Sequence, residues 1–173
     1  ALGSKKLSEN AKMIAQTLLD IASDEDAEGS SRVDAATEVL GLMSSDGDVV
    51  RSLLESITGR TEQKTAVGLV MALQRSRAGS VGQCIVEFLP TMTPAIRSTA
   101  IRVLLSRPES TQVLLTALGN GELDRSDLAL DQQQSLLSHP REEIREQAKI
   151  VFAEAGGVPS PDRVAVLESL MRV

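Results

Sequence analysis

The sequence predicts an all-α protein, a single domain over residues 1–173 in which about ten amphipathic helices stack as an irregular α-solenoid. Three observations lead there. Apolar residues recur at steps of three and four along nearly the whole chain, the period of one face of a helix. Short clusters of Gly, Pro, Ser, Thr and Asp, the residues that cap and end helices, separate these runs. Aromatic residues make up 1% of the chain, two Phe with no Tyr or Trp, so Leu, Val, Ile, Ala and Met must fill the core. That suits closely packed helices better than a sandwich or barrel, whose strands favour aromatic and β-branched side chains.

The first helix carries Leu7, Ala11, Ile14, Leu18 and Ile21 on one stripe, and residues 1–23 read as an end cap without a clear partner. Asp24–Ser31 (DEDAEGSS) interrupts it, and Ser30 or Ser31 can cap a second helix bearing Val33, Ala36, Val39, Leu40 and Met43. After the SDGD turn, Asp48 is the expected cap of a third helix with Val50, Leu53, Leu54 and Ile57, ended by Gly59. Thr61 opens a fourth through Ala66, Leu69, Val70 and Leu73. Ser80 opens a fifth with Val81, Cys84, Ile85 and Phe88, stopped before Pro90. Thr93-Pro94 is a strong start signal for a sixth, and Pro108 opens a seventh that Gly119 ends. Asp131 is the expected cap of a short eighth helix with Leu136 and Leu137. His139-Pro140 starts a ninth with Ile144, Ala148, Val151 and Phe152, ended by Gly156-Gly157. Ser160-Pro161 starts the terminal helix, 160–173, with Val164, Leu167 and Met171.

Three of these helices open alike, DVVRSLL, PAIRSTA and PREEIREQA, with Arg51, Arg97 and Arg145 spaced by 46 and 48 residues. Helix pairs at about 40–47 residues mark HEAT and armadillo arrays, so residues 31–107 read as irregular repeats and 108–157 as a further one. An arginine at a fixed place in successive helices is expected to bind acids or helix-end carbonyls of its neighbour and hold the stack in register.

Net charge is −6, from 24 acidic and 18 basic residues, which argues against a general nucleic-acid binder. No apolar run approaches the ~18 residues that span a bilayer, so this segment is not expected to insert in a membrane. Asp24, Asp26, Glu28 and Gly29 fall at positions 1, 3, 5 and 6 of an EF-hand loop, but position 12 is Ala35 instead of the bidentate Glu. An acidic turn is the expectation, and whether Asp24, Asp26 and Glu28 hold a cation stays open. Cys84, the only cysteine, lies on an apolar stripe and reads as a buried small hydrophobe. His139, the only histidine, reads as an exposed residue at a helix start. Asp124, Asp127 and Asp131 read as turn caps without an acid–base partner. One Cys and one His build neither a zinc site nor a haem site, and no nucleophile, phosphate-loop or metalloprotease motif occurs. No catalytic, cofactor-binding or metal residue is assigned.

The stretch LLTALGNGELDRSDLALDQQQSLLSHPREEIREQA resembles the end of the helical-repeat region in large multidomain bacterial membrane-bound dehydrogenases with a c-type haem domain. Leu114, Leu115, Ala117, Leu118, Gly121, Leu123, Arg125, Asp127, Leu128, Gln132 to Gln134, Leu136, Leu137, His139, Pro140, Ile144, Arg145 and Ala148 carry it, within about the last third of the chain. The family's CxxCH is absent here, so no haem ligand carries over. The resemblance implies a non-catalytic scaffold, periplasmic or at the cell surface, linking an upstream catalytic domain to a downstream c-type haem domain. Its partners would be neighbouring domains of the parent chain. In that reading the insert from Asn120 to Asp131 is a structured connection fixed by Arg125 and Asp127. With Val166, Leu170 and Val173 left on an uncovered face, the parent is expected to continue past Val173 and to carry a CxxCH within roughly a hundred residues. The alternative is a stand-alone solenoid that binds a peptide or protein.

Overall fold

The period read from the apolar residues becomes helix throughout. The computed structural model describes residues 2–153, with side chains from residue 9 onward. Among the described residues there are nine α-helices and no strand: α1 (Leu2–Ser23), α2 (Gly29–Leu42), α3 (Gly47–Glu55), α4 (Gln63–Ala72), α5 (Val81–Phe88), α6 (Pro94–Leu105), α7 (Pro108–Gly119), α8 (Leu130–Leu137) and α9 (Glu142–Ala153). One-turn 3-10 segments follow α4, α5 and α7, at Leu73–Arg75, Leu89–Thr91 and Arg125–Asp127. The helices match the first nine expected from the sequence, in order. The Gly156-Gly157 stop and the terminal helix at 160–173, with its apolar face, lie outside the described residues.

Several caps differ from expectation. Asp46, not Asp48, caps α3: its carboxylate accepts the Asp48 N–H at 2.9 Å, which leaves Gly47 as the first helical residue and puts Asp48 in the first turn. Two aspartates two residues apart compete for one job, and the outer one wins because its oxygen reaches forward to the unpaired N–H groups of the helix start. α2 begins at Gly29, ahead of both expected serines, and the Ser30 hydroxyl donates back to Glu28. The Thr61 hydroxyl accepts the Thr58 N–H and donates to Ser56 O, so it orders the loop, and α4 starts two residues later. α8 starts at Leu130, where Gln132 Oε1 accepts the Ala129 N–H and Asp131 sits in the first turn. The proline starts hold: Pro94 and Pro108 each sit in the first turn of their helix, where a missing N–H costs nothing.

The helices pack in two tiers. α2, α4, α6 and α8 lie side by side in order, and so do α1, α3, α5, α7 and α9, with sequence neighbours such as α1 and α2 or α8 and α9 packing across the tiers. Starts in the even tier fall at Gly29, Gln63, Pro94 and Leu130, intervals of 34, 31 and 36 residues. In the odd tier from α3 onward the intervals are 34, 27 and 34. The 46- and 48-residue arginine spacing therefore spans three helices, not a pair: α3 and α9 belong to one tier and α6 to the other.

Between the tiers runs one aliphatic core in which Leu40, Leu53, Leu69, Ile85, Ile101, Leu104, Leu114 and Leu136 are fully buried. Each such side chain contributes about 1.5–3 kcal/mol relative to exposure. Both phenylalanines, Phe88 and Phe152, stay half-buried at its margin. Without aromatics to space them, the helices approach closely. At Gly68 of α4 a Cβ would meet Val33 of α2 at 2.6 Å, so the even tier closes there only over a bare backbone.

Candidate functional site

The polar groups that organise the fold sit at helix starts. The fourth residue of α2, α6, α7, α8 and α9 reaches back to a carbonyl at the end of the preceding segment. Arg32 Nε donates to Ala22 O at 3.0 Å, Arg97 Nε to Leu89 O at 3.2 Å and Thr111 Oγ1 to Leu104 O at 3.1 Å. Gln133 Nε2 donates to Leu128 O at 3.0 Å and an Arg145 guanidinium nitrogen to His139 O at 2.9 Å. Helix C-termini leave carbonyls unpaired, and these side chains complete them. Of the three arginines expected to act alike, Arg97 and Arg145 do this. Arg51 instead pairs with Glu87 on α5 at 2.7 Å, a half-exposed ion pair between adjacent helices of one tier. The Glu87 hydrogen bond and charge raise the Arg51 guanidinium further above its already high value.

Arg32 was not singled out by sequence reasoning, yet it is the buried member of the set, 3% exposed. Its second guanidinium arm donates to Ser56 O at 3.1 Å, so one side chain clamps the ends of α1 and α3. Its signal was its position, four residues into a helix, hidden because the start of α2 was expected later.

The insert before α8 is built, not slack. Asp124 accepts the N–H and hydroxyl of Ser126, and these bonds hold its carboxyl below the usual carboxylate range. Asp127 Oδ2 accepts the Asp124 N–H at 3.2 Å while its other oxygen pairs with Arg97. Gly121, at φ 73°, takes the left-handed turn that releases the chain from α7. Arg125 donates to Phe152 O at 3.2 Å and lies over the Phe152 ring, 5.9 Å from its centroid. Buried Gln132 donates to Ser98 O at 3.0 Å. The insert is thus tied to α6, α8 and α9 together.

The other singled-out residues are spread apart. Asp24 Oδ1 accepts the Asp26 N–H, Glu25 accepts the Thr58 hydroxyl at 2.6 Å, and Glu28 accepts the Ser30 hydroxyl, so this acidic turn is bonded locally and to the loop after α3. Among the described residues no group of three or more His, Cys, Asp or Glu is arranged to hold a metal ion. Cys84 is buried on α5 with a free thiol. His139 is half-buried rather than exposed, and its Nδ1 accepts the Arg141 N–H at 3.1 Å.

An open groove of about 890 Å³ runs across α5, α7 and α9. Its floor includes Val86, Val113 and Ala117. Gln83, Gln112 and Gln147, one carboxamide from each helix, stand along it, with Glu87, Glu109 and Glu122 at its margin. Among the described residues no lysine or arginine lines it. Each carboxamide carries both a hydrogen-bond donor and an acceptor, and the floor beside them is partly apolar. It holds no nucleophile paired with a base. No protein family, curated protein or solved structure matches the chain, so its function is read from this geometry.

Proposed function

We propose that this chain is a non-catalytic helical-repeat platform, an irregular HEAT-like α-solenoid whose odd tier holds an extended protein segment. The observation that carries the reading is the groove over α5, α7 and α9, where alternate helices of one tier present like carboxamides to the same side. Stacked helix pairs create long surfaces of this kind because each unit repeats the same exposed face. The test is a screen of arrayed twelve-residue peptides against the wild-type chain and Gln112→Lys. Peptides held in the groove should bind the wild type and lose at least ~10-fold in the variant, about 1.4 kcal/mol. If every peptide retained by the wild type binds the variant equally, the groove is not the binding surface and the platform reading fails.

A second reading names the partner. The stretch from Leu114 to Ala148 resembles the repeat region preceding a c-type haem domain in multidomain bacterial dehydrogenases, and the way Arg97, Arg125 and Asp127 lock the insert between helices suits a stiff spacer. In that case the segment held would be a neighbouring domain of a longer periplasmic or cell-surface chain. A CxxCH encoded soon after Val173 in the native gene is the expected result, and its absence removes this reading while leaving the platform intact.

A further inference from the structure

The chain is acidic, yet one edge of the even tier gathers only positive charge. Gly41, Ser44, Gln74, Arg75, Arg77 and Arg107 line a concavity of about 440 Å³ where α2 and the 3-10 turn after α4 end and α7 begins. Among the described residues no carboxylate lines it. No ion pair among the described residues includes Arg75, Arg77 or Arg107.

Helix C-termini normally repel anions, because their unpaired carbonyls carry the negative end of the helix dipole. Here those carbonyls are already bonded. Ser44 O accepts the Arg77 N–H and the Ser76 hydroxyl, the latter at 3.1 Å. Gln74 O and Ser76 O accept the two terminal nitrogens of Arg107. Arg107 is thereby fixed at the rim with donors to spare, while the Arg75 and Arg77 side chains stay exposed. Three arginines line a space beside which the Ser44, Gln74 and Ser76 carbonyls are already bonded, and guanidinium groups match the oxygens of a tetrahedral oxyanion.

We propose that this edge binds phosphate, free or carried on another molecule, between Arg75, Arg77 and Arg107. The site shares no residue with the groove on the odd tier, and neither depends on the other. Gly41 supplies an internal competitor for the test. A Cβ added there meets nothing within 4 Å, so Gly41→Glu brings a carboxylate to the concavity, and Gly41→Gln is its uncharged match.

Inorganic phosphate and O-phosphoserine, each titrated calorimetrically at constant ionic strength against a chloride reference, are the probes. The wild type and Gly41→Gln should bind at least one probe, whereas Gly41→Glu and the double variant Arg75→Gln/Arg77→Gln should bind it at least ~10-fold more weakly. Both arginines are exposed, and unchanged helical circular dichroism verifies that the double variant folds. Binding of both probes indicates recognition of the phosphate itself, and binding of O-phosphoserine alone indicates a phosphate carried on a partner. If neither binds, or if Gly41→Glu and the double variant bind as the wild type does, the proposal is overturned.

Discussion

Arg32 and Arg97 occupy the same fourth position in two helices of one tier, and each ties its helix start to two other segments: Arg32 to the ends of α1 and α3, Arg97 to the end of α5 and to the 3-10 turn before α8. Their means differ. Arg32 is 3% exposed and binds only carbonyls, those of Ala22 and Ser56. Arg97 retains 26% of its side-chain exposure, binds the Leu89 and Met92 carbonyls, and completes its set with the Asp127 carboxylate. A junction sealed from water can use neutral dipoles, because a carbonyl in a low-dielectric interior is a strong acceptor. At the wetter junction a carboxylate lies within reach and completes the set. The same register task is thus met by two chemistries.

Five measurements can break or sharpen this contrast. Arg32→Met should have the largest effect, a loss of about 3 kcal/mol in urea unfolding, since it strands two buried carbonyls, and added salt should not change it. Arg97→Met should cost less, about 2 kcal/mol, because water can reach the freed groups. A double-mutant cycle of Arg97 with Asp127 should give a coupling near 1 kcal/mol that shrinks as salt rises. Salt-sensitive loss at Arg32, or none at Arg97, would reverse the assignment. Arg51→Ala removes an ion pair open to solvent and should cost less than either Arg32→Met or Arg97→Met, so a loss as large as that of Arg97→Met would mean that the pair carries register. The smallest effect concerns the insert. Because its folded value is depressed, Asp124 stabilises the turn above the ordinary carboxylate range and loses that contribution only as pH falls through its lower folded value. An NMR titration should find the Asp124 side-chain carbon changing below the ordinary range, and Asp124→Asn should flatten that acid response. A midpoint within the ordinary range would contradict the bonding described for Ser126.

Helix order and the core from α2 onward were legible because burial imposes a simple period: Leu40, Leu53, Ile85, Leu114, Ile144 and Ala148 fall on the expected stripes and are buried, whereas on α1 the expected Ile14 and Ile21 are exposed and Ala15 and Ala22 are buried instead. Register was not. Arg51, Arg97 and Arg145 look equivalent in sequence, yet one bridges adjacent helices of a tier and two complete carbonyls, because what an arginine binds depends on which helix end lies within its reach. Arg32 escaped notice for a related reason. A start placed one or two residues late shifts the fourth position, and with it the residue that faces the preceding carbonyls. The groove was invisible for another. Gln83, Gln112 and Gln147 lie on polar faces of helices far apart in the chain, and sequence periodicity says nothing about which polar faces align.

The two-tier arrangement also bears on time. The principal packing partners of each helix lie one or two helices away along the chain, so nearly every contact closes a short loop. Loop closure is the main entropic obstacle before a long-range contact can form, and here that obstacle stays low everywhere. Refolding should therefore run in the microsecond-to-millisecond range of locally connected helical chains. A damaged junction should leave distant helices intact, releasing one stretch of the chain while the rest keeps its protection against hydrogen exchange.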